Sequence, residues 1–245
     1  MKPELRVPVD NLCLGENVLS AEAARYVVKV HRLSIGDKIH LFDPVSGKEA
    51  LGFVATARLP SICVQVQEEP RQALRKNMPV TLIQAVAKGD KPEQAVRDAT
   101  ALGVEHVAFA VTTRSVPRGG SDGKAGRLGR VAAQVARQCG RADLPILEMP
   151  ALLGETLSGP LLRPHRIVCG LTEGSVPLLD AVTGAQLREG VTLLVGPEGG
   201  FSAEEMRLAI DSGFRVASLG PFVLRSETAC TVALAVLRAL HLASE

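Results

Sequence analysis

Two segments near the carboxyl-terminal end of the 245-residue sequence combine residue types that can hold a small ligand. The first is Gly196-Pro197-Glu198-Gly199-Gly200, which lies between an apolar stretch and the start of a helical pattern. Glycines leave backbone N–H and C=O groups open to a ligand because they carry no side chain. A single glycine would indicate an ordinary strand-to-helix turn, whereas this combination favours a binding loop.

The residues after this loop specify the start of a helix. Ser202 can cap the first turn, and Glu205 three residues later completes a capping box. Phe201 and Met206 occupy the two positions of a hydrophobic staple, and Gly213 can end the helix. The helix start is therefore expected to hold the loop in a defined shape.

The second segment, 219–229, reads LGPFVLRSETA, follows a predicted strand and opens another helix. From Ala229 to Leu240 the apolar residues recur at helical spacing. Arg225 and Glu227 lie at the start of this helix, where charged groups need partners. For Glu227, a structural salt bridge and a functional role fit the sequence equally. For Arg225, the position favours a functional role.

The sequence lacks the motifs of the common nucleotide-binding folds. It has neither G-x-G-x-x-G after an early strand nor the phosphate-binding G-x-x-x-x-G-K-[ST]. The apolar stretch 80–86 leads into AKGDK rather than a glycine-rich loop. The five cysteines and five histidines have no metal-ligand spacing, so no metal site is predicted.

The patterns along the chain predict two domains. Short strands at 38–42, 51–56 and 62–66 favour a small β-barrel or sandwich within residues 1–70. A polar segment, 71–79, is expected to be the linker. From 80 to 245, strands alternate with helices, which predicts an α/β domain with a largely parallel sheet. Such sheets bind ligands at the carboxyl ends of their strands, where both segments fall.

These motifs resemble those of the knotted SPOUT methyltransferases, and within them the family that methylates N3 of a uridine in bacterial 16S ribosomal RNA. The matching segments are 195–205 and 219–229, with shorter matches at 32–37, 41–43, 102–104, 113–116 and 138–141. The resemblance implies a SPOUT α/β trefoil-knot methyltransferase domain preceded by a small PUA-like RNA-binding β-barrel domain. The chain departs from the family pattern at Asp98, Ala101 and Arg137.

The resemblance also implies S-adenosyl-L-methionine as the cofactor, held by the loops after three strands, and a homodimer. The implied cofactor-binding residues are Leu171, Thr172, Gly196, Pro197, Glu198, Gly199, Gly200, Leu219, Gly220, Leu224, Ser226, Thr228 and Ala229. The implied catalytic residues are Arg225 and Glu227, acting on 16S ribosomal RNA of the small subunit. Two other functions stay open, a ribose 2′-hydroxyl RNA methyltransferase of the same superfamily and a non-catalytic RNA-binding assembly factor.

Basic residues form two groups that could contact RNA. The stripe over 127–141 has spacings of three and four and consists of Arg127, Arg130, Gln134, Arg137 and Arg141. No acidic residue lies between Lys124 and Arg141, which favours phosphate contact over a solvated face. The predicted RNA-binding residues are Arg25, Lys29, Arg32, Arg114, Arg127, Arg130, Arg137 and Arg141. Tyr26, Phe42 and Phe53 are the few candidates for base stacking, so recognition through RNA shape and backbone is expected.

The bulk composition adds only broad limits. The net charge of +2 is too small to indicate a nucleic-acid partner by itself. With 46% hydrophobic residues the chain can bury a sizeable core. The first residues lack the apolar run of a signal peptide, and charged residues interrupt the apolar stretches. These features predict a cytoplasmic protein without a membrane span.

Overall fold

The computed structural model describes residues 5–73, 77–86, 91–115 and 122–244. The chain divides into two compact units, Met1–Lys76 with Ala133–Leu144, and Asn77–Ala132 with Pro145–Glu245. Nothing in the sequence pattern predicts that 133–144 belongs with the first unit. The two units are described separately below.

The first unit contains one mixed sheet of six short strands. The strands are β1 (Arg6–Pro8), β2 (Gly15–Val18), β3 (Lys38–Phe42), β4 (Lys48–Arg58), β5 (Ser61–Val66) and β6 (Arg71–Gln72). Their order is β1-β3-β4-β5-β2, with β6 paired to β4. The β1–β3 pair is parallel and the others are antiparallel. The barrel closure stays a prediction, because no pairing between β1 and β2 is seen among the described strands.

A short helix covers the aliphatic core of this unit. Helix α1 (Ala21–Arg25) continues into a π-helical turn at Tyr26–Val30, so the helix predicted near 22–29 is confirmed with a wider final turn. Ser20 caps it by accepting a hydrogen bond from the Ala23 backbone N–H. Ala24 and Val27 face the core formed by the alternate residues of β3 and β5. The alternation predicted from the sequence thus sets which strand face is buried.

The second unit is built on a sheet in which every described strand pair is parallel. The main strands are β7 (Met78–Ala85), β8 (Val104–Val111), β11 (His165–Cys169), β13 (Val191–Val195) and β14 (Arg215–Ser218). Short strands β9 (Ile146–Leu147), β10 (Ala151–Leu152) and β12 (Val176–Pro177) extend its edges. The order is β10-β8-β7-β13-β11-β14-β12, with β9 on β8. The predicted parallel α/β domain is confirmed.

The helices of this unit lie between successive strands, except the final helix, which follows the last strand. They are α2 (Lys91–Ala101), α3 (Asp122–Cys139), α4 (Leu153–Thr156), α5 (Leu178–Ala181), α6 (Gly184–Glu189), α7 (Ala203–Asp211) and α8 (Ser226–Ala243). Helix α3 begins in the second unit and ends in the first. All five residues of β13 are buried, because this strand has neighbours on both sides.

Helix α8 is long and apolar for a helix of a globular domain. Its 18 residues have a mean hydropathy of 1.2, so by length and composition it could cross a membrane. The expectation that no stretch of the sequence is long and apolar enough to cross a membrane is therefore wrong for this helix. The helix packs against α2, α6, β7 and β13. Core helices of soluble proteins can have the same length and apolar composition. Its buried residues are Ser226, Cys230, Ala233, Leu234, Leu237 and His241.

Candidate functional site

The carboxyl ends of β11, β13 and β14 meet at one edge of the sheet, because these strands are parallel neighbours. The loops that follow them line a cavity of about 290 Å³. The cavity wall contains all of the predicted cofactor-binding residues except Gly199 and Thr228, both of which are exposed and lie outside it. The predicted members of the wall are Leu171, Thr172, Gly196, Pro197, Glu198, Gly200, Leu219, Gly220, Leu224, Ser226 and Ala229.

Sequence reasoning missed several wall residues. They are Cys169, Gly170, Val195, Phe201, Met206, Phe222 and Val223. Cys169 and Val195 are the last residues of their strands, so the position of a ligand at the strand ends could have identified them. Burial raises the pKa of the Cys169 thiol to about 12, so this sulfur stays protonated and weakly nucleophilic near neutral pH.

The loop after β13 is held by the predicted start of α7. The Ser202 hydroxyl accepts a hydrogen bond from the Glu205 backbone N–H at 3.2 Å, and the Glu205 carboxylate accepts one from the Ser202 N–H at 2.8 Å. The predicted capping box is thus confirmed. Gly200 has a φ of +68°, a backbone conformation that favours glycine, and its N–H donates to the Pro197 carbonyl. These bonds fix the backbone that faces the cavity.

The Glu205 carboxylate also fastens a second segment to this loop. It accepts a hydrogen bond from the Thr113 backbone N–H at 2.6 Å, and the neighbouring Arg114 guanidinium donates to the Gly199 carbonyl. Burial raises the pKa of Glu205, but the amide hydrogen bonds from Ser202 and Thr113 outweigh it, so its pKa lies below the ordinary value. Arg114, predicted to contact RNA, therefore has a role in the shape of the loop.

A buried hydrogen-bond chain joins the cavity wall to the centre of the sheet. The Ser226 hydroxyl donates to the Gly196 carbonyl, and the Gln84 side-chain amide donates to the Ser226 oxygen at 2.9 Å. Ser226 is buried at the first turn of α8, and Gln84 is buried on β7. Since these hydrogen bonds join the loop after β13 to the start of α8, a change at Ser226 should affect both segments.

Lys91 is a site residue that sequence reasoning missed. Its ammonium nitrogen lies 2.7 Å from Oε1 of Glu198 and 3.2 Å from Oε2 of Glu227. The hydrogen bond to Glu198 raises the pKa of Lys91, so it is charged throughout the neutral range. The pKa of Glu227 is lowered, first by its own backbone N–H and further by Lys91 and Arg225. Glu227 thus has an ion-pair partner and lies outside the cavity wall.

Arg225 lies between two wall residues and is itself exposed. It occupies the cap position of α8, where its carbonyl accepts a hydrogen bond from the Ala229 N–H at 2.8 Å. The start of a helix carries partial positive charge, and the Arg225 guanidinium adds a cation there, near the Glu227 carboxylate that Lys91 also pairs. This arrangement can stabilise an anion that enters beside the cavity.

The basic residues of the first unit fall into two groups. Arg25, Lys29 and Arg32 are exposed, as a phosphate contact requires. Arg141 is buried, with 6% of its surface exposed, and pairs with Asp143 at 2.9 Å. The assignment of Arg141 to an exposed stripe is therefore wrong, because α3 ends at Cys139 and the chain turns at Gly140.

Two of the three candidates for base stacking have little free ring surface. Phe42 is completely buried, so its prediction as a stacking residue is wrong. Tyr26 packs against His31, with ring centres 4.6 Å apart, and the Arg137 guanidinium lies 5.1 Å from its ring centre. Arg137 is half-buried by this contact. Phe53 is half-buried on β4.

In the second unit, Arg127 and Arg130 are exposed on α3. Arg127 forms an ion pair with Glu93 at 2.7 Å, although its own side chain stays 64% exposed. The acidic partner lies on α2, 34 residues earlier in the sequence, so the sequence around Arg127 gives no sign of this ion pair. Within the described ranges, no group of three or more histidine, cysteine or acidic side chains could hold a metal ion.

Comparisons with known proteins identify relatives of the whole chain. Residues 74–238 match the family described as an RNA methyltransferase domain. A ribosomal RNA small subunit methyltransferase E from Synechocystis is 33% identical over 230 residues, which is 91% of this chain and 72% of that protein. The protein of the same name from Rickettsia conorii is 28% identical, over 94% of this chain and 93% of its own length.

Solved structures show the same architecture. A methyltransferase from Legionella pneumophila with bound S-adenosylmethionine superposes with a TM-score of 0.87 at 28% identity, covering 96% of this chain and 97% of that chain. Ribosomal RNA small subunit methyltransferase E from Neisseria gonorrhoeae, bound to S-adenosyl methionine, gives 0.86 at 22% identity, covering 97% and 98%. These likenesses confirm the predicted α/β methyltransferase fold, whereas the trefoil knot and the PUA-like barrel stay predictions.

Proposed function

The chain belongs to the ribosomal RNA small subunit methyltransferase E family, and we propose that it transfers a methyl group from S-adenosyl-L-methionine to N3 of a uridine in 16S ribosomal RNA. The observation that carries this proposal is the convergence of three loops, each with at least one glycine in the wall, on one cavity at the carboxyl edge of the parallel sheet. The small ribosomal subunit is then the partner, and the cytoplasm is the location.

The cavity wall fits this cofactor. Leu171, Phe201, Met206 and Leu224 offer apolar surface for a purine ring, and the loop around Gly196 offers backbone polar groups. A Cβ at Gly196 would lie 3.0 Å from the Phe201 ring, so this glycine keeps space open in the wall. The bound cofactor supplies an electrophilic methyl group on its sulfonium.

The residues of the chain prepare the nucleophile. The imide nitrogen of uracil is a poor nucleophile until it loses its proton to solvent, and a nearby cation favours the anionic form that then accepts the methyl group. Arg225 supplies that cation at the rim of the cavity. Glu227 acts through Lys91 as a positioning residue, since its carboxylate is held by that ion pair at the base of the final helix. In this proposal the residues of the site align the base with the methyl group and form no covalent bond with it.

RNA is held by exposed basic residues of both units. Residues 1–70 form the RNA-binding domain in this proposal, 71–79 the linker and 80–245 the methyltransferase domain. The proposed phosphate contacts are Arg25, Lys29 and Arg32 in the first domain, and Arg127 and Arg130 in the second. Each phosphate contact releases counterions, so methylation should fall steeply as salt concentration rises.

We also propose that the protein is a homodimer without a metal. Helix α8 presents exposed small residues, Ala235 and Ala239, on the side away from its buried face, and small residues allow close helix packing. A two-fold interface would be self-complementary. Sedimentation at micromolar concentration should give the mass of a dimer, and a stable monomer would refute this part of the proposal.

The experiment that tests the function compares substrates. Calorimetry should show S-adenosylmethionine binding, and methyl transfer should be fast with small subunits, slower with naked 16S ribosomal RNA and negligible with a short uridine-containing oligonucleotide. Cofactor binding without transfer to any RNA would favour a non-catalytic assembly factor. Equal turnover of the oligonucleotide would contradict the need for an extended RNA surface.

A further inference from the structure

The aromatic residues of the chain are few, and one of them stands apart in its exposure. The sequence contains six phenylalanines, one tyrosine and no tryptophan, and all seven lie within the described ranges. Phe42, Phe109 and Phe214 are buried, and Tyr26, Phe53 and Phe201 are half-buried. Phe222 is 80% exposed. It is therefore the aromatic ring with a free face in this part of the chain.

Phe222 lies at the rim of the cofactor cavity. It belongs to the loop between β14 and α8, and this loop also carries Arg225. Val223 and Leu171, which line the same cavity, are 87% and 50% exposed. Single exposed apolar residues are common on protein surfaces, but a group at the rim of a cavity indicates contact with a ligand. Phe222 borders the cavity at its open rim, so most of its ring surface is available to a second ligand that enters beside the cofactor.

The proposed reaction requires a contact of this kind. The N3 atom of uracil lies on its pairing edge, so the target base must be unpaired when N3 is reached, either in a single-stranded segment or turned out of a helix. Proteins bind such splayed bases by stacking them on aromatic side chains. The lone pair of deprotonated N3 lies in the plane of the ring, so a stacked base presents this atom edge-on to the cavity. Arg225, three residues along the same loop, then lies close to the developing negative charge.

Resting on the proposed function, we propose that Phe222 is the residue on which the target uracil stacks as it enters the site. The loop backbone is suited to hold the ring in place. Gly220 has a φ of +122°, which a residue with a side chain rarely adopts, and Pro221 restricts the next position. The ring is thus placed by a stiff turn on one side and by the first turn of α8 on the other.

The test compares three substitutions at this position with a matched control. Phe222→Ala removes the ring, Phe222→Leu keeps apolar bulk without a flat face, and Phe222→Tyr keeps the face. Leu208→Ala, on exposed Leu208 of α7 outside the cavity wall, is the control. The expected result is a loss of about ten-fold or more in kcat/KM for RNA in the Ala and Leu variants, with near-normal values for the Tyr variant and the control.

Two further measurements separate stacking from other roles of Phe222. Cofactor affinity by calorimetry and mass by sedimentation should be unchanged in all variants. Because the chain has no tryptophan, Phe222→Trp introduces a single tryptophan that can be excited selectively in the presence of Tyr26. 16S ribosomal RNA should quench the emission of this tryptophan but not that of Leu208→Trp.

Full activity of Phe222→Leu, weaker cofactor binding or loss of the dimer would overturn the assignment. If the wild-type protein transfers no methyl group to any RNA, the proposed function itself fails. If it does and Phe222→Ala is equally active, only the stacking assignment fails.

Discussion

The ammonium group of Lys91 lies 2.7 Å from the carboxylate of Glu198, the acidic residue of the glycine loop in the cavity wall. The same ammonium reaches Glu227 at the start of α8, so one cation joins two loops that border the cavity. Removing it would leave two carboxylates near each other without the cation that both contact.

Lys91→Met should therefore weaken S-adenosylmethionine binding modestly. All three side chains are 25–38% exposed, and ion pairs of this kind contribute up to about 1 kcal/mol, which corresponds to about five-fold in affinity. Lys91→Arg retains the charge and is the control. Calorimetry measures both, and equal affinity of Lys91→Met and wild type would show that the ion pairs do not shape the cavity.

The ion pair also has a defined pH range. The pKa of Lys91 is raised above 10.5, so its contribution is present below that value and is lost as the pH rises through the folded pKa. The pKa of Glu227 is lowered below 4.5, so its contribution is present above 4.5 and is lost as the pH falls through the folded pKa. The pair is therefore intact over the whole neutral range.

Ser226→Ala should destabilise the protein and weaken cofactor binding together. The hydroxyl links the buried Gln84 amide to the Gly196 carbonyl. Its loss removes the shorter of the two hydrogen bonds that this amide nitrogen donates, the other being to the Ala85 carbonyl at 3.3 Å. Such a loss costs about 1–3 kcal/mol in the free energy of unfolding. Ser158→Ala removes an exposed hydroxyl that donates to the Gly154 carbonyl and is the matched control. Urea unfolding compares the two, and equal midpoints would refute the role of Ser226.

Two glycines of one loop should respond differently to the same substitution. A Cβ at Gly196 would lie 3.0 Å from the Phe201 ring, which packs against the core, whereas at Gly199 it would meet the flexible Arg114 side chain. Gly196→Ala should weaken cofactor binding by about ten-fold, because a packed wall adapts poorly to an added methyl group. Gly199→Ala should bind nearly as wild type does. The reverse order of affinities would show that the cavity is assigned to the wrong face of the loop.

Glu205→Gln should reduce stability near neutral pH and have less effect in acid. The pKa of Glu205 is below 4.5, so its ionised form contributes stability above that value, and this contribution is lost as the pH falls through the folded pKa. We expect a loss of about 1 kcal/mol in the free energy of unfolding at neutral pH, since charged hydrogen bonds to Ser202 and Thr113 become neutral. Asp211→Asn, an exposed carboxylate at the other end of α7, is the control. An equal loss at acidic and neutral pH would contradict this account.

Local patterns in the sequence predict the parts of the site that depend on neighbouring residues. The Ser202–Glu205 capping box and the loops at 196–200 and 219–229 follow from local patterns, whereas the loop with Leu171 and Thr172 is implied only by the family resemblance. Gly140 also predicts the end of the helix before Arg141, because glycine is a typical helix terminator. The spacing of the basic residues, by contrast, predicts a stripe that extends to Arg141.

Contacts between residues that are far apart in the sequence leave no local pattern from which they could be predicted. Lys91 meets Glu198 and Glu227 only because β7 and β13 are neighbours in the folded sheet. Glu205 meets Thr113 for a similar reason, and the burial of Phe42 depends on the packing of the whole first unit. These relationships are set by the tertiary fold and not by local spacing.

The position of the transferred methyl group tests the central claim most directly. Small ribosomal subunits lacking the modification would be incubated with the protein and S-adenosylmethionine, and the digested 16S ribosomal RNA would be analysed by mass spectrometry against nucleoside standards. The proposed function predicts a methyl group on uracil N3 at a single uridine. A methyl group on a ribose oxygen, on another base or at many sites would contradict it.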